Sequence, residues 1–250
     1  MRFRTISLCV LLFSIVLAVR PTYAASCSNA SLKGTFGYFH GRPGQPSGAS
    51  TIVGQLTSDG VGNITSASWT QTVAGGVVTT GTTTGTYAVS TNCTGTLTFT
   101  DEGGINAHFN IYINAGNKMF QMIQTDNGDN QPGFGLTEGI VTCGLTGKKQ
   151  VLTTNLTGIV GSTVAETVGQ VKLDGKGHIS GTETFTDNGV ISTLSVNGTY
   201  TENSNCTGTW QVTPKGGSAI NFNTIVVNSG KELLLIESDN NTNTAGNAQQ

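Results

Sequence analysis

The chain has 250 residues, 35 of them glycine, only 10% charged, and a formal net charge of −2. So few charges exclude long surface helices, which draw on Glu, Lys and Arg, and leave no basic stripe to replace counterions on a nucleic acid. β-Branched and aromatic residues recur throughout, which excludes a disordered chain.

The first element is a leader. Arg2 and Arg4 precede an apolar run from Ile6 to Val19, and Thr22-Tyr23-Ala24 supplies small residues where a signal peptidase reads. We expect residues 1–24 to be a signal peptide and the rest to be secreted or periplasmic. The run is too short to span a bilayer, so no membrane span is expected. Removing Arg2, Arg4 and Arg20 leaves 9 basic against 14 acidic residues, a net charge of −5.

Period-two patterning follows. Ile105, Ala107, Phe109, Ile111 and Ile113 point one way and Asn106, His108, Asn110, Tyr112 and Asn114 the other, as a half-buried strand requires. Eight strands are predicted in the first half, over 32–40, 51–58, 63–72, 77–89, 94–101, 105–114, 118–125 and 134–141. Asp59-Gly60-Val61-Gly62 is hairpin-turn chemistry between two of them.

The second half repeats the first. Gly54-Gln55-Leu56 and Asp59-Gly60-x-Gly62-x-Ile64 return as Gly169-Gln170-Val171 and Asp174-Gly175-x-Gly177-x-Ile179. Gly85-Thr86-Tyr87 with Cys93-Thr94-Gly95-Thr96 returns as Gly198-Thr199-Tyr200 with Cys206-Thr207-Gly208-Thr209. A period of about 114 suits a duplicated domain rather than a solenoid coil. We place the copies at 27–142 and 143–250. Each is expected to be an all-β antiparallel domain, an eight-stranded up-and-down barrel, with a two-sheet sandwich as the alternative. Only Thr244 to Gln250 remains for an eighth strand in the second copy, so closure there is expected to be incomplete. Cys27, Cys93, Cys143 and Cys206 allow three pairings, and the duplication favours Cys27 with Cys93 and Cys143 with Cys206.

Leu32-Lys33-Gly34-Thr35-Phe36-Gly37-Tyr38, the Asp-Gly-x-Gly-x-Ile hairpins and the Gly-Thr-Tyr and Cys-Thr-Gly-Thr blocks resemble secreted Gly- and Thr-rich repeat proteins of acidobacterial type, a likeness that implies no activity. Cys143-Gly144-Leu145-Thr146-Gly147-Lys148 is similar to the opening strand of avidins, of the calycin barrels. Lys149 stands where that family places a tryptophan, and no ligand residue is carried over.

No motif for catalysis, a cofactor or a metal stands out. His40, His108 and His178 are isolated in sequence, and Asp59, Asp126, Asp174 and Asp239 open turns. Asp126-Asn127-Gly128-Asp129-Asn130 is rich in oxygen ligands, but an EF-type loop counted from Asp126 ends on Thr137 rather than an acid. The first copy is the richer in aromatics and the better candidate to hold an apolar ligand, with Tyr38, Trp69 and Tyr112 as candidate lining residues. The expected function is that of an exported non-enzymatic binding or surface/structural protein whose ligand the sequence does not name, with a small apolar molecule or glycan as the candidate partner. The alternative is an isomerase- or cyclase-like enzyme in the first barrel, which would need a buried ionisable group with a shifted pKa there.

Overall fold

The structure is a computed structural model and describes residues 26–44, 50–73, 76–114, 116, 118–128, 131–139, 143–160, 163–187 and 189–250. The leader lies outside them. Eight strands form the first barrel: β1 Gly34–Gly41, β2 Ser50–Ser58, β3 Asn63–Val73, β4 Thr79–Val89, β5 Thr94–Asp101, β6 Asn106–Asn114, β7 Met119–Gln124 and β8 Pro132–Thr137. Eight more form the second: β9 Gln150–Val160, β10 Thr163–Leu173, β11 His178–Asp187, β12 Val190–Glu202, β13 Thr207–Pro214, β14 Ile220–Val227, β15 Glu232–Glu237 and β16 Ala245–Gln249. Each sheet closes on itself, with neighbours antiparallel and in chain order. Up-and-down closure leaves no free edge, and it rules out the sandwich.

The short β16 closes the second barrel, correcting the expected incompleteness. It pairs with β15 from Ile236↔Ala245 to Glu232↔Gln249 and with β9 from Thr157↔Ala245 to Thr153↔Gln249. Five residues suffice because β9, which runs from Gln150 to Val160, extends beyond them at both ends.

Residues two apart share a face, so each barrel turns most of its large apolar side chains inward, with Tyr112, Ile123, Val164 and Val168 among those left outside. Inside the first are Phe36, Tyr38, Leu56, Ile64, Tyr87, Leu97, Phe99, Phe109, Ile111 and Phe120. Inside the second are Leu152, Val171, Ile179, Val196, Tyr200, Trp210, Phe222, Leu233 and Leu235. The outer faces carry Thr, Ser and Asn, which keep β-propensity while remaining wettable. That is why a chain with so few charges presents a polar surface.

One end of each barrel is plugged. A 3₁₀ turn over Asn29–Leu32 puts Leu32 under the first barrel, tied down by the Cys27–Cys93 disulfide and by the Tyr87 hydroxyl donating to Asn29 O at 3.2 Å. Leu145 does the same for the second, with Cys143–Cys206 and the Tyr200 hydroxyl donating to Leu145 O at 3.4 Å. Both disulfides are the pair favoured from the sequence. Cys93 and Cys206 each adopt a left-handed backbone, with φ of 67° and 66°, at the same tight turn. Two disulfides are compatible with an extracellular or periplasmic setting, and no helix among the described residues is long and apolar enough to cross a membrane.

Phe36 faces Leu56 and Leu152 faces Val171, so Leu152 is the second barrel's counterpart of Phe36. The core position stays apolar.

The barrels pack side by side through a third apolar cluster. Val53 on β2 meets Ile225, Val227, Leu234, Ile236 and Ala245, flanked by Phe39, Phe134 and Leu136. Polar pairs border it: Thr72 Oγ1 donates to Asn243 Oδ1 at 2.8 Å and Asn223 Nδ2 to Thr70 Oγ1 at 3.1 Å. At the seam's edge Gln55 Nε2 donates to Glu138 Oε1 at 2.6 Å and also to Asn205 O across the barrels. Burial pushes the Glu138 carboxyl up to about 7, with the Gln55 amide opposing.

Candidate functional site: the mouth of the first barrel

Opposite its plug, the first barrel ends in a cavity of about 170 Å³. Tyr38 and His40 reach it from β1, Ile52 from β2, Trp69 from β3, Thr83 from β4, Phe99 and Asp101 from β5, and Ala107 and Phe109 from β6, with Ile105 at the rim. These positions alternate along their strands, so each element contributes one or two inward side chains at the same height.

Glycines make room for the largest of them. A Cβ at Gly54 would collide with the Tyr38 ring, and one at Gly81 with the Trp69 indole. The bare strand opposite each ring lets it lie flat against the wall. Tyr38 stacks on Phe99 with centroids 5.4 Å apart, and Phe99 meets Phe109 edge-on at 5.8 Å. The floor of the mouth is therefore aromatic.

His40 is set into that floor. It is 6% exposed, its ring meets Phe109 edge-on at 5.3 Å, and its Nδ1 is buried without a hydrogen-bond partner. Burial lowers its pKa to about 4, with the Gln131 side chain opposing, so the imidazole is neutral at neutral pH. Burial likewise raises the Tyr38 phenol well above its usual value. The neighbouring Asp101 is occupied with its own turn, where its Oδ1 accepts from Ile105 N at 2.8 Å.

Two of the three candidate residues thus meet. Tyr38 and Trp69 share the cavity, whereas Tyr112 lies on the outer face of β6, 57% exposed, and is no part of the mouth. The other histidines are outside as well. His108 Nδ1 pairs with Asp126 Oδ1 at 2.7 Å and His178 Nδ1 with Asp174 Oδ2 at 2.8 Å, both at the surface. The His108 backbone N–H, and after it the His108 ring, hold Asp126 below the usual carboxylate range. Asp59 and Asp174 are turn residues: the Asn63 side-chain amide and the backbone N–H groups of Asn63, Val61 and Gly62 donate to Asp59, the His178 backbone and ring and the Lys176 N–H meet Asp174, and these bonds hold both carboxyls near 2. Among the described residues no group of three or more His, Cys, Asp or Glu side chains could hold a metal ion.

Sequence reasoning missed two residues at the open end of the second barrel. Glu183 and Glu237, each 5% exposed, line a smaller cavity of about 90 Å³ there. Glu183 shares a face with Ile179, and Glu237 with Leu233 and Leu235. An acid continuing the inward row of an apolar strand was the available signal. No family model matches the chain, and no curated protein is similar to it.

Proposed function

We propose that the protein is an exported, non-enzymatic binding module that holds a small planar apolar molecule in the mouth of the first barrel. Its two barrels are read as copies of one ancestral domain. The observation that carries this is the His40 Nδ1, buried and unpartnered in an aromatic floor. A buried polar atom of this kind costs roughly 1–3 kcal/mol when left unpaired, and a ligand hydroxyl or N–H would satisfy it. Eight-stranded barrels are the size that closes around side chains or one small ligand. The Tyr38 and Trp69 rings supply flat contact, and the single imidazole fixes orientation.

An isomerase- or cyclase-like activity is the weaker reading. His40 is the buried, shifted group such an enzyme would need, but a base with a pKa of about 4 takes protons poorly at neutral pH. Among the described residues no carboxylate is paired with it.

The test is titration of the full exported chain with 1-naphthol, a planar ring with one hydroxyl, followed by ligand fluorescence. Saturable binding that weakens by about tenfold or more in both His40→Phe and Trp69→Ala is expected. Absence of saturable binding, or variants that bind as the parent does, would overturn the assignment. Native mass spectrometry of protein from its own source reads the same question through any small molecule that copurifies.

A further inference from the structure

We propose that the open end of the second barrel is a separate binding site for a small organic ammonium ion, seated between the Glu183 and Glu237 carboxylates and beside the Trp210 ring. Glu183 is on β11 and Glu237 on β15, four strands apart in a closed ring of eight, so they enter the lumen from opposite walls. Between them the lining is largely apolar, with Phe185, Phe222 and Trp210 among it. An anion in such surroundings is costly unless a counter-charge meets it, and among the described residues no Lys, Arg or His lines this cavity. Glu183 has one neutral partner, the Thr154 hydroxyl at 2.7 Å. Two acids sit in a greasy chamber, and no cation among the described residues lines it.

Trp210 is the independent sign of a missing occupant. It is 2% exposed, lines the same cavity, and its indole N–H has no hydrogen-bond partner. Aromatic walls with carboxylates suit an alkylammonium, which the ring face attracts and the acids neutralise. An oxygen beside the ammonium would accept from the indole, which points to an amino alcohol such as choline or ethanolamine. A cavity of about 90 Å³ admits a handful of heavy atoms and excludes a lipid or peptide. The first barrel has no such site, because Trp69 and Gln124 hold the positions of Glu183 and Glu237 in the strand register.

Burial raises both carboxyls, Glu237 to about 7, the latter helped by Asp239 and opposed by the Thr244 hydroxyl. Among the described residues these two are the only titratable side chains lining the cavity. Cation binding must therefore expel the protons they hold, and affinity should rise with pH through neutrality.

The chain contains two tryptophans, so Trp69→Phe leaves Trp210 as the only indole. In that full-length background, choline is titrated at pH 8 against its neutral isostere 3,3-dimethyl-1-butanol, reading Trp210 fluorescence and heat. Saturable choline binding is expected, at least about tenfold tighter than the isostere, weakened by about tenfold or more in Glu183→Gln and in Glu237→Gln, and weaker at pH 5.5. If one variant fails to fold, the other variant and the pH dependence of the parent decide. Equal binding of the isostere, no saturation at millimolar choline, or pH-independent affinity would overturn the site. The naphthol titration reports on the other barrel and is unaffected by either result.

Discussion

Trp69 and Glu183 occupy the same station in the two barrels, each directly opposite a glycine of the preceding strand, Gly54 and Gly169. One barrel fills the space at its open end with an indole and the other with a carboxyl. Tyr38 and Phe99 change in step, to Thr154 and Val212 at the matching pairs. The two mouths share a backbone and differ in chemistry. Truncating the indole should therefore enlarge the first mouth at a cost: Trp69→Ala is expected to lower stability by about 2–3 kcal/mol, less than a fully buried ring because Trp69 is only partly buried. Urea denaturation against the parent measures it.

Glu237 makes stability fall as the solution becomes alkaline. Its carboxyl ordinarily titrates near 4.5 and is pushed to about 7 in the folded chain. Below 4.5 both folded and unfolded forms are protonated and the folded form carries no penalty. As the pH rises from 4.5 through 7 the unfolded chain releases the proton first, and about 3 kcal/mol is lost by the time the folded group ionises. Glu138, raised to about 7 at the seam, acts in the same sense. Glu237→Gln and Glu138→Gln should each raise the melting temperature at pH 8 and leave it nearly unchanged at pH 4.5.

His40 works in the opposite direction. Its folded pKa of about 4 lies below the ordinary 6.5, so the stability it allows is complete above 6.5 and is lost as the pH falls toward 4. Replacement by phenylalanine removes both the titration and the unpaired Nδ1. His40→Phe should therefore gain stability most at pH 4.5 and least at pH 8, the reverse of the glutamate variants. Melting curves of the three variants at both values separate the two effects.

Much of this architecture was legible from alternation alone. The strand from Asn106 to Asn114 reads inward-outward without a break, and its predicted span is off by one residue. The cysteine recurrence gave the disulfides. What stayed hidden has physical causes. Closure of the second barrel depends on β16, an Ala-Gly-Asn-Ala-Gln segment with almost no apolar signal, held by neighbours rather than by its own propensity. Tyr112 was legible and misjudged: it shares its face of β6 with Asn106, His108, Asn110 and Asn114, a polar row that marks it as outward. The glutamates were hidden by their type, since acids are read as surface unless their row is followed. Leu233-Leu234-Leu235-Ile236 carried a signal that went unused. An unbroken apolar run marks a strand covered on both sides, and β15 is buried on both, by its own barrel and by the first.

The seam yields the last prediction. Gly37 on β1 lies beneath the second barrel: a Cβ there would stand 2.5 Å from Val227 Cγ1, 2.9 Å from Ile225 Cγ2 and 3.4 Å from Leu234 Cδ1. The missing side chain lets the two sheets approach, because Val227 and Leu234 are fully buried with no room to retreat. Gly37→Ala should cost about 1–3 kcal/mol by overpacking, and Gly37→Val more. Val227→Ala removes the nearest methyl groups and leaves a gap of its own. The pair Gly37→Ala with Val227→Ala should accordingly be more stable than the sum of the single effects implies, as expected of side chains competing for one space. Gly217→Ala, whose Cβ would meet nothing closer than 3.5 Å, is the control and should melt with the parent. A Gly37→Ala chain that melts with the parent too would mean the barrels do not rest on this contact.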